Sequence, residues 1–206
     1  MGAWSRTEGV GMAASREDAA AAEWDRLAAA LNHHGICHVA PARQPRGAVP
    51  TRPVDLFLAL ATASHVRLQE ASIPLLLTQP QLAPAAQAVI GQLHGTQRDR
   101  AVRRYVAASA LQRMWRTRLR LALGEQPLIP PAHVQELGLP PLEEDYGRAT
   151  LRELSAQEEA IYGYNAWAGY TSLMDLFLAE IALSGWGQRA DRPERRVRTG
   201  QRARAG

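Results

Sequence analysis

Residues 96–124, TQRDRAVRRYVAASALQRMWRTRLRLALG, decide the fold class. The stretch has no proline, and no glycine before its last residue, and Thr96-Gln-Arg-Asp99 has the spacing of a helix-capping box. This pattern predicts the longest helix of the chain, stopped by Gly124. At about 100° per residue, Tyr105, Ala108, Leu111, Trp115 and Leu119 make its apolar side. Arg113, Arg116 and Arg120 form a stripe on another face, with Arg100, Arg103, Arg104 and Arg118 elsewhere around the axis. Trp115 belongs to the apolar set, which predicts a core position and not a stacking platform for bases.

Helical signals continue in both directions. Ser15-Arg-Glu-Asp18 reads as the start of an alanine-rich helix to Asn32, with Gly35 as its stop. Residues 36–39 suit one short strand, and residues 41–53, with four prolines and one glycine, read as a linker. Pro53 opens a second helix and Ser64 a third, in which Pro74 predicts a kink or a break. Pro80 starts a further helix ending near His94. Residues 128–147 read as loop with at most one helical turn. Thr150-Leu-Arg-Glu153 opens another helix, and one from Tyr170 or Thr171 to Ser184 closes the folded part. Asp-Leu-Phe-Leu-Ala occurs at residues 55–59 and again at 175–179, carrying both phenylalanines, and reads as two similar core helices.

Together these signals give an all-α protein, an irregular bundle of six or seven helices with at most one short strand near 36–39. Residues 66–93, a helix, a proline-marked turn and a second helix, resemble a single HEAT-type unit. The expected organisation is a disordered segment 1–14, one helical domain 15–187 and a disordered arginine-rich tail 188–206.

The formal net charge of +4 conceals its distribution. All 24 basic residues are arginine, so a P-loop lysine, a Schiff-base lysine and a kinase-type lysine are excluded. The tail holds seven arginines against Asp191 and Glu194, which leaves seventeen arginines against eighteen acids in residues 1–187. Within that body, residues 98–120 hold eight arginines and one acid, and residues 136–159 hold seven acids and two arginines. Such polarity suits either an internal salt-bridge network or an anionic partner on the arginine-rich helix.

With 206 residues, 46% of them apolar, the chain can bury a core without disulfides or metal. Cys37 is its one cysteine, which fits a reducing, cytoplasmic setting. Its longest apolar runs, near 56–63 and 173–183, are shorter than the roughly 20 residues of a spanning helix. The first residues have neither a basic n-region nor an apolar h-region, so no secretory signal is expected.

Few motifs carry chemistry. His33, His34, Cys37 and His38 lie close together, but Gly35 interrupts them and only two can converge, so no metal site and no cofactor are expected. There is no Gly-x-Ser-x-Gly elbow. Glu158 and Glu159 adjoin the most suggestive segment, Tyr162-Gly-Tyr164-Asn165-Ala-Trp167-Ala-Gly-Tyr170. Its aromatics bring large contact area at low rotamer cost, its glycines allow close backbone approach, and Asn165 adds two-way hydrogen bonding. These five residues are the candidate binding surface for a partner or ligand.

The resulting expectation is a non-enzymatic intracellular protein that binds a macromolecule, most directly another protein, with the aromatic run as anchor. A nucleic-acid reading rests on Arg113, Arg116, Arg120 and the tail. An enzymatic reading would draw on histidines and glutamates around residues 133–167, with no reaction identified.

Overall fold

The computed structural model describes residues 8–37, 39–45 and 47–184. Among the described residues there are nine α-helices, two short 3-10 turns and no strand, the all-α class that the sequence predicts. The helices are α1 (Glu8–His33), α2 (Pro53–Thr62), α3 (Val66–Glu70), α4 (Ser72–Thr78) and α5 (Ala83–Ile90), then α6 (Gly95–Met114), α7 (Arg116–Leu123), α8 (Arg148–Tyr162) and α9 (Ala166–Ser184). The 3-10 turns are Pro80–Leu82 and Glu144–Gly147. Residues 1–7, His38 and the expected basic tail 188–206 lie outside the described residues.

Helix α6 is the centre of the fold. From Val102 to Gln112 every side chain is buried except Arg104, which is half-buried. Four of these residues are Ala107, Ala108, Ser109 and Ala110, so α2, α4, α5 and α8 can all approach its backbone. The one-sided apolar stripe expected from the sequence is therefore wrong for the middle of this helix, because small residues let all its faces be covered. One cluster of buried side chains runs from Leu27 of α1 to Ile181 of α9, and includes both Phe57 and Phe177.

Several boundaries differ from the expected ones. Helix α1 begins at Glu8, ahead of Ser15, since no proline interrupts residues 8–33. The expected long helix is divided at Trp115 (φ −106°, ψ 16°), although the Trp115 N–H still donates to Leu111 O at 2.9 Å and the Leu119 N–H to Trp115 O at 3.0 Å. It is thus a kink with its hydrogen-bond ladder intact at those two points. The break expected near Pro74 falls at Ala71, between α3 and α4. This follows from the proline ring's clash with the carbonyl four residues earlier, and leaves Pro74 in the first turn of α4. The segment likened to a HEAT-type unit spans α3 to α5, of which α4 packs on α6 and α5 on α2. Of the expected strand, the described residues Ile36, Cys37 and Val39 form none, since a strand without a pairing partner leaves its backbone unsatisfied, while Ile36 and Val39 are buried in the core.

Gly147 fixes the approach of the 3-10 turn to α6. Its φ is +83°, it follows the left-handed Asp145 and Tyr146, and a Cβ built on it would lie 2.8 Å from the Ala110 carbonyl oxygen. Substitution must both strain the backbone and push the turn away from α6. Gly147→Ala is expected to lower the unfolding free energy by about 2–4 kcal/mol, measured by urea denaturation.

Candidate functional site

The aromatic run forms a corner between α8 and α9. Gly163, at φ +72°, ends α8 in a left-handed conformation, and its N–H donates to Glu159 O at 2.8 Å. Two residues later Asn165 starts α9, its Oδ1 accepting the Ala168 N–H at 2.9 Å as an N-cap. Helix α9 consequently begins at Ala166, earlier than Tyr170, because the asparagine supplies a cap that the sequence reading treated as a ligand group. The tight link stacks the Tyr162 and Tyr164 rings at 6.0 Å between centroids, 20° from parallel. It also returns Tyr170, one turn into α9, against Glu158 of α8, where its hydroxyl donates to Oε2 at 2.9 Å.

Behind this corner lies a cavity of about 490 Å³ enclosed by α3, α4, α6, α8 and α9. Tyr162, Tyr164 and Tyr170 line it; Asn165 and Trp167 do not. Trp167 is half-buried, with the Arg152 guanidinium 5.8 Å from its ring centroid. The rest of the wall is mainly apolar, from Val66, Ile73, Leu173, Leu176 and Phe177, and Gly169 of α9 lines it without a side chain. No family model, curated protein or solved structure matches the chain. What the site can do must therefore be read from its own chemistry.

The polar part of the wall comes from residues outside the candidate binding set. Arg100, Arg103 and Arg104 reach it from the first turns of α6, with Arg67 and Glu70 from α3 and Glu158 from α8. Arg103 is buried and uses Nε on both Asp99 carboxylate oxygens, at 3.2 and 3.1 Å. The Arg104 guanidinium donates to Gln69 Oε1 at 2.8 Å, and burial lowers its pKa while Glu70 opposes that shift. Burial raises the carboxyl groups of Glu70 and Glu158 above their usual range, against the pull of neighbouring arginines and, at Glu158, of the Tyr170 hydroxyl. Tyr170 is held well above the ordinary phenol range by burial and by the Glu158 carboxylate. It is a hydrogen-bond donor there, not a base.

The predicted arginine stripe lies away from this cavity, and its members are engaged locally. Arg113 donates to Ser109 O at 3.0 Å and to Ile129 O at 3.2 Å. Gln112 joins it, accepting the Ile129 N–H at 2.7 Å and donating to Pro127 O at 2.9 Å, so these α6 side chains satisfy the backbone of the loop 127–130. Arg116 and Arg120 face Glu125, at 3.6 and 4.0 Å. Arg98 pairs with Glu136, whose Oε2 lies 2.8 Å from His133 Nδ1. The internal salt-bridge reading of the charge polarity thus holds for Arg98 and Glu136. Among the described residues, no group of three or more His, Cys, Asp or Glu could hold a metal ion, and His34 Nδ1 faces Gln79 Oε1 at 3.2 Å.

The Tyr170–Glu158 contact makes a pH-dependent prediction. The hydroxyl favours the ionised carboxylate, so its contribution is present above the carboxyl's titration and is lost as pH falls through it. Tyr170→Phe should destabilise the protein by about 1–3 kcal/mol at pH 7. Chemical denaturation at several pH values should show that deficit shrinking towards pH 4.

Proposed function

We propose that this protein is a non-enzymatic binding module that takes an organic ligand with an apolar body into the cavity between α3, α6, α8 and α9. The observation that carries this reading is the cavity itself, whose 490 Å³ falls in the range of small-molecule sites and whose aliphatic wall carries a few convergent polar groups. Its chemistry favours holding over transforming. Among the described residues that line it there is no histidine or cysteine, and the Ser172 hydroxyl makes no side-chain hydrogen bond. Glu158 is engaged by Tyr170, and Tyr170 is too basic to lose its proton near neutral pH.

Gly169 offers a direct test. It lies within α9 and lines the cavity, and a Cβ at this position would meet no atom within 4 Å. A leucine there would fill ligand space without a clash, and in a helix interior it removes the conformational penalty of glycine. Titration with the uncharged fluorescent probe N-phenyl-1-naphthylamine should show saturable binding to the wild type. Gly169→Leu should weaken it at least about tenfold with an equal or higher Tm. Equal affinity in the two proteins would reject the cavity as the site.

A second reading keeps the expected protein partner, and one observation favours it. Val66, Tyr164 and Leu176 line the cavity yet are 55%, 50% and 69% exposed, which makes an apolar rim at its mouth. A partner could seat a side chain in the cavity and cover this rim. Leu176→Glu would then abolish retention of a copurifying protein in quantitative pull-downs; retention equal to that of the wild type would remove this reading.

A further inference from the structure

Accepting the cavity as a ligand site, we infer that its ligand is an amphipathic organic acid, a single anionic head on an apolar body, with Arg100 as a principal contact of the head. Four arginines line the cavity against two glutamates. Their partners are unequal. Arg103 is neutralised by Asp99, and Arg104 has Gln69 as its hydrogen-bond acceptor and Glu70 as its nearest carboxylate influence. The Arg100 side chain is half-buried and makes no hydrogen bond or ion pair among the described residues; Arg67, more exposed, makes no side-chain hydrogen bond or ion pair either, its charge acting on Glu70. The wall therefore holds positive charge that the protein does not match, in a place where low dielectric strengthens each contact. Burial works in the same direction, since it holds back ionisation of Glu70 and Glu158, the carboxylates that would otherwise offset it.

The shape supplies the other half. From Tyr170, beside Glu158, the lining of α9 continues through Leu173 and Leu176 to Phe177, a run of about 10 Å at the helical rise. Ile73 and Pro74 of α4 face the same space. A hydrated inorganic anion would leave this aliphatic wall uncovered, and a neutral hydrocarbon would leave the Arg100 guanidinium without a counter-ion. A molecule that carries both parts satisfies both.

The test displaces N-phenyl-1-naphthylamine from the full chain with decanoate, with 1-decanol and with acetate, at pH 7.5. Decanoate should compete at least about tenfold more tightly than 1-decanol, and acetate should not compete. Arg100→Gln should erase the preference for decanoate while leaving 1-decanol and the probe unchanged, which separates loss of the head contact from misfolding. Equal competition by decanoate and 1-decanol, with the probe still bound, would overturn the inference and leave the cavity reading standing. Failure of the wild type to bind the probe or either ten-carbon compound would overturn both.

Discussion

Everything in this molecule depends on burying a helix from all sides. A helix that presents one apolar stripe needs one neighbour; α6 presents Ala107, Ala108, Ser109 and Ala110 around its circumference and is packed by α2, α4, α5, α8 and a 3-10 turn. Small side chains bring neighbouring backbones close, and close backbones need their polar groups satisfied. The fold meets that need with long polar side chains from α6 itself. Tyr105 donates to Pro130 O at 3.1 Å and accepts from Gln87 Nε2 at 2.6 Å, while Gln112 and Arg113 bind the backbone at Pro127 and Ile129. A proline-rich loop without regular structure can thereby lie against the core, with Ile129 fully buried.

The same helix explains why the cavity is charged. At its centre α6 is covered, and Arg100, Arg103 and Arg104 of its N-terminal half line the space shared with α3, α4, α8 and α9. Burying three guanidinium groups together is costly unless each finds a partner. Asp99, one turn earlier in α6, and Gln69 of α3 serve two of them. The corner at Gly163 and Asn165 brings the remaining wall, because a glycine stop followed by an asparagine cap turns α9 back along α8 and sets Tyr170 against Glu158. One site thus joins the arginine-rich and the aromatic segments that sequence analysis treated separately.

Much of the fold was legible because helix formation here is local: uninterrupted runs, proline first turns and glycine stops mark most of the helices. Capping signals misled because their side chains found better partners. Asp99 of the expected box at Thr96 binds Arg103, so α6 starts at Gly95 without a side-chain cap. The Thr150 hydroxyl donates to Pro140 O at 2.9 Å, and α8 starts at Arg148 behind Gly147. At the candidate site, Tyr162, Tyr164 and Tyr170 of the aromatic run line the cavity, while Asn165 and Trp167 do not. The stripe Arg113, Arg116 and Arg120 belongs to the later half of the arginine-rich stretch and lies outside the cavity lining. Arg100, Arg103 and Arg104 carry their own signal at spacings of three and four, one face of the first turns. The companions Val66, Glu70 and Ile73 come from about thirty residues upstream and become visible only when α4 docks on α6.

The absence of lysine gains a physical meaning from this arrangement. An ammonium group buried beside Arg100 and Arg103 would be pushed towards its neutral form by desolvation and by like charge, and would surrender its electrostatic role. A guanidinium starts so much higher that Arg104, although burial lowers it, stays charged. Its planar fork also lets it bind Gln69 while the rest of the group faces the cavity. Arginine is therefore the cation that can line a half-apolar space between helices and keep its charge there. On the proposed reading, a wall built this way discriminates by charge and shape together, with Arg100 for the head and the apolar side chains of α9 for the body.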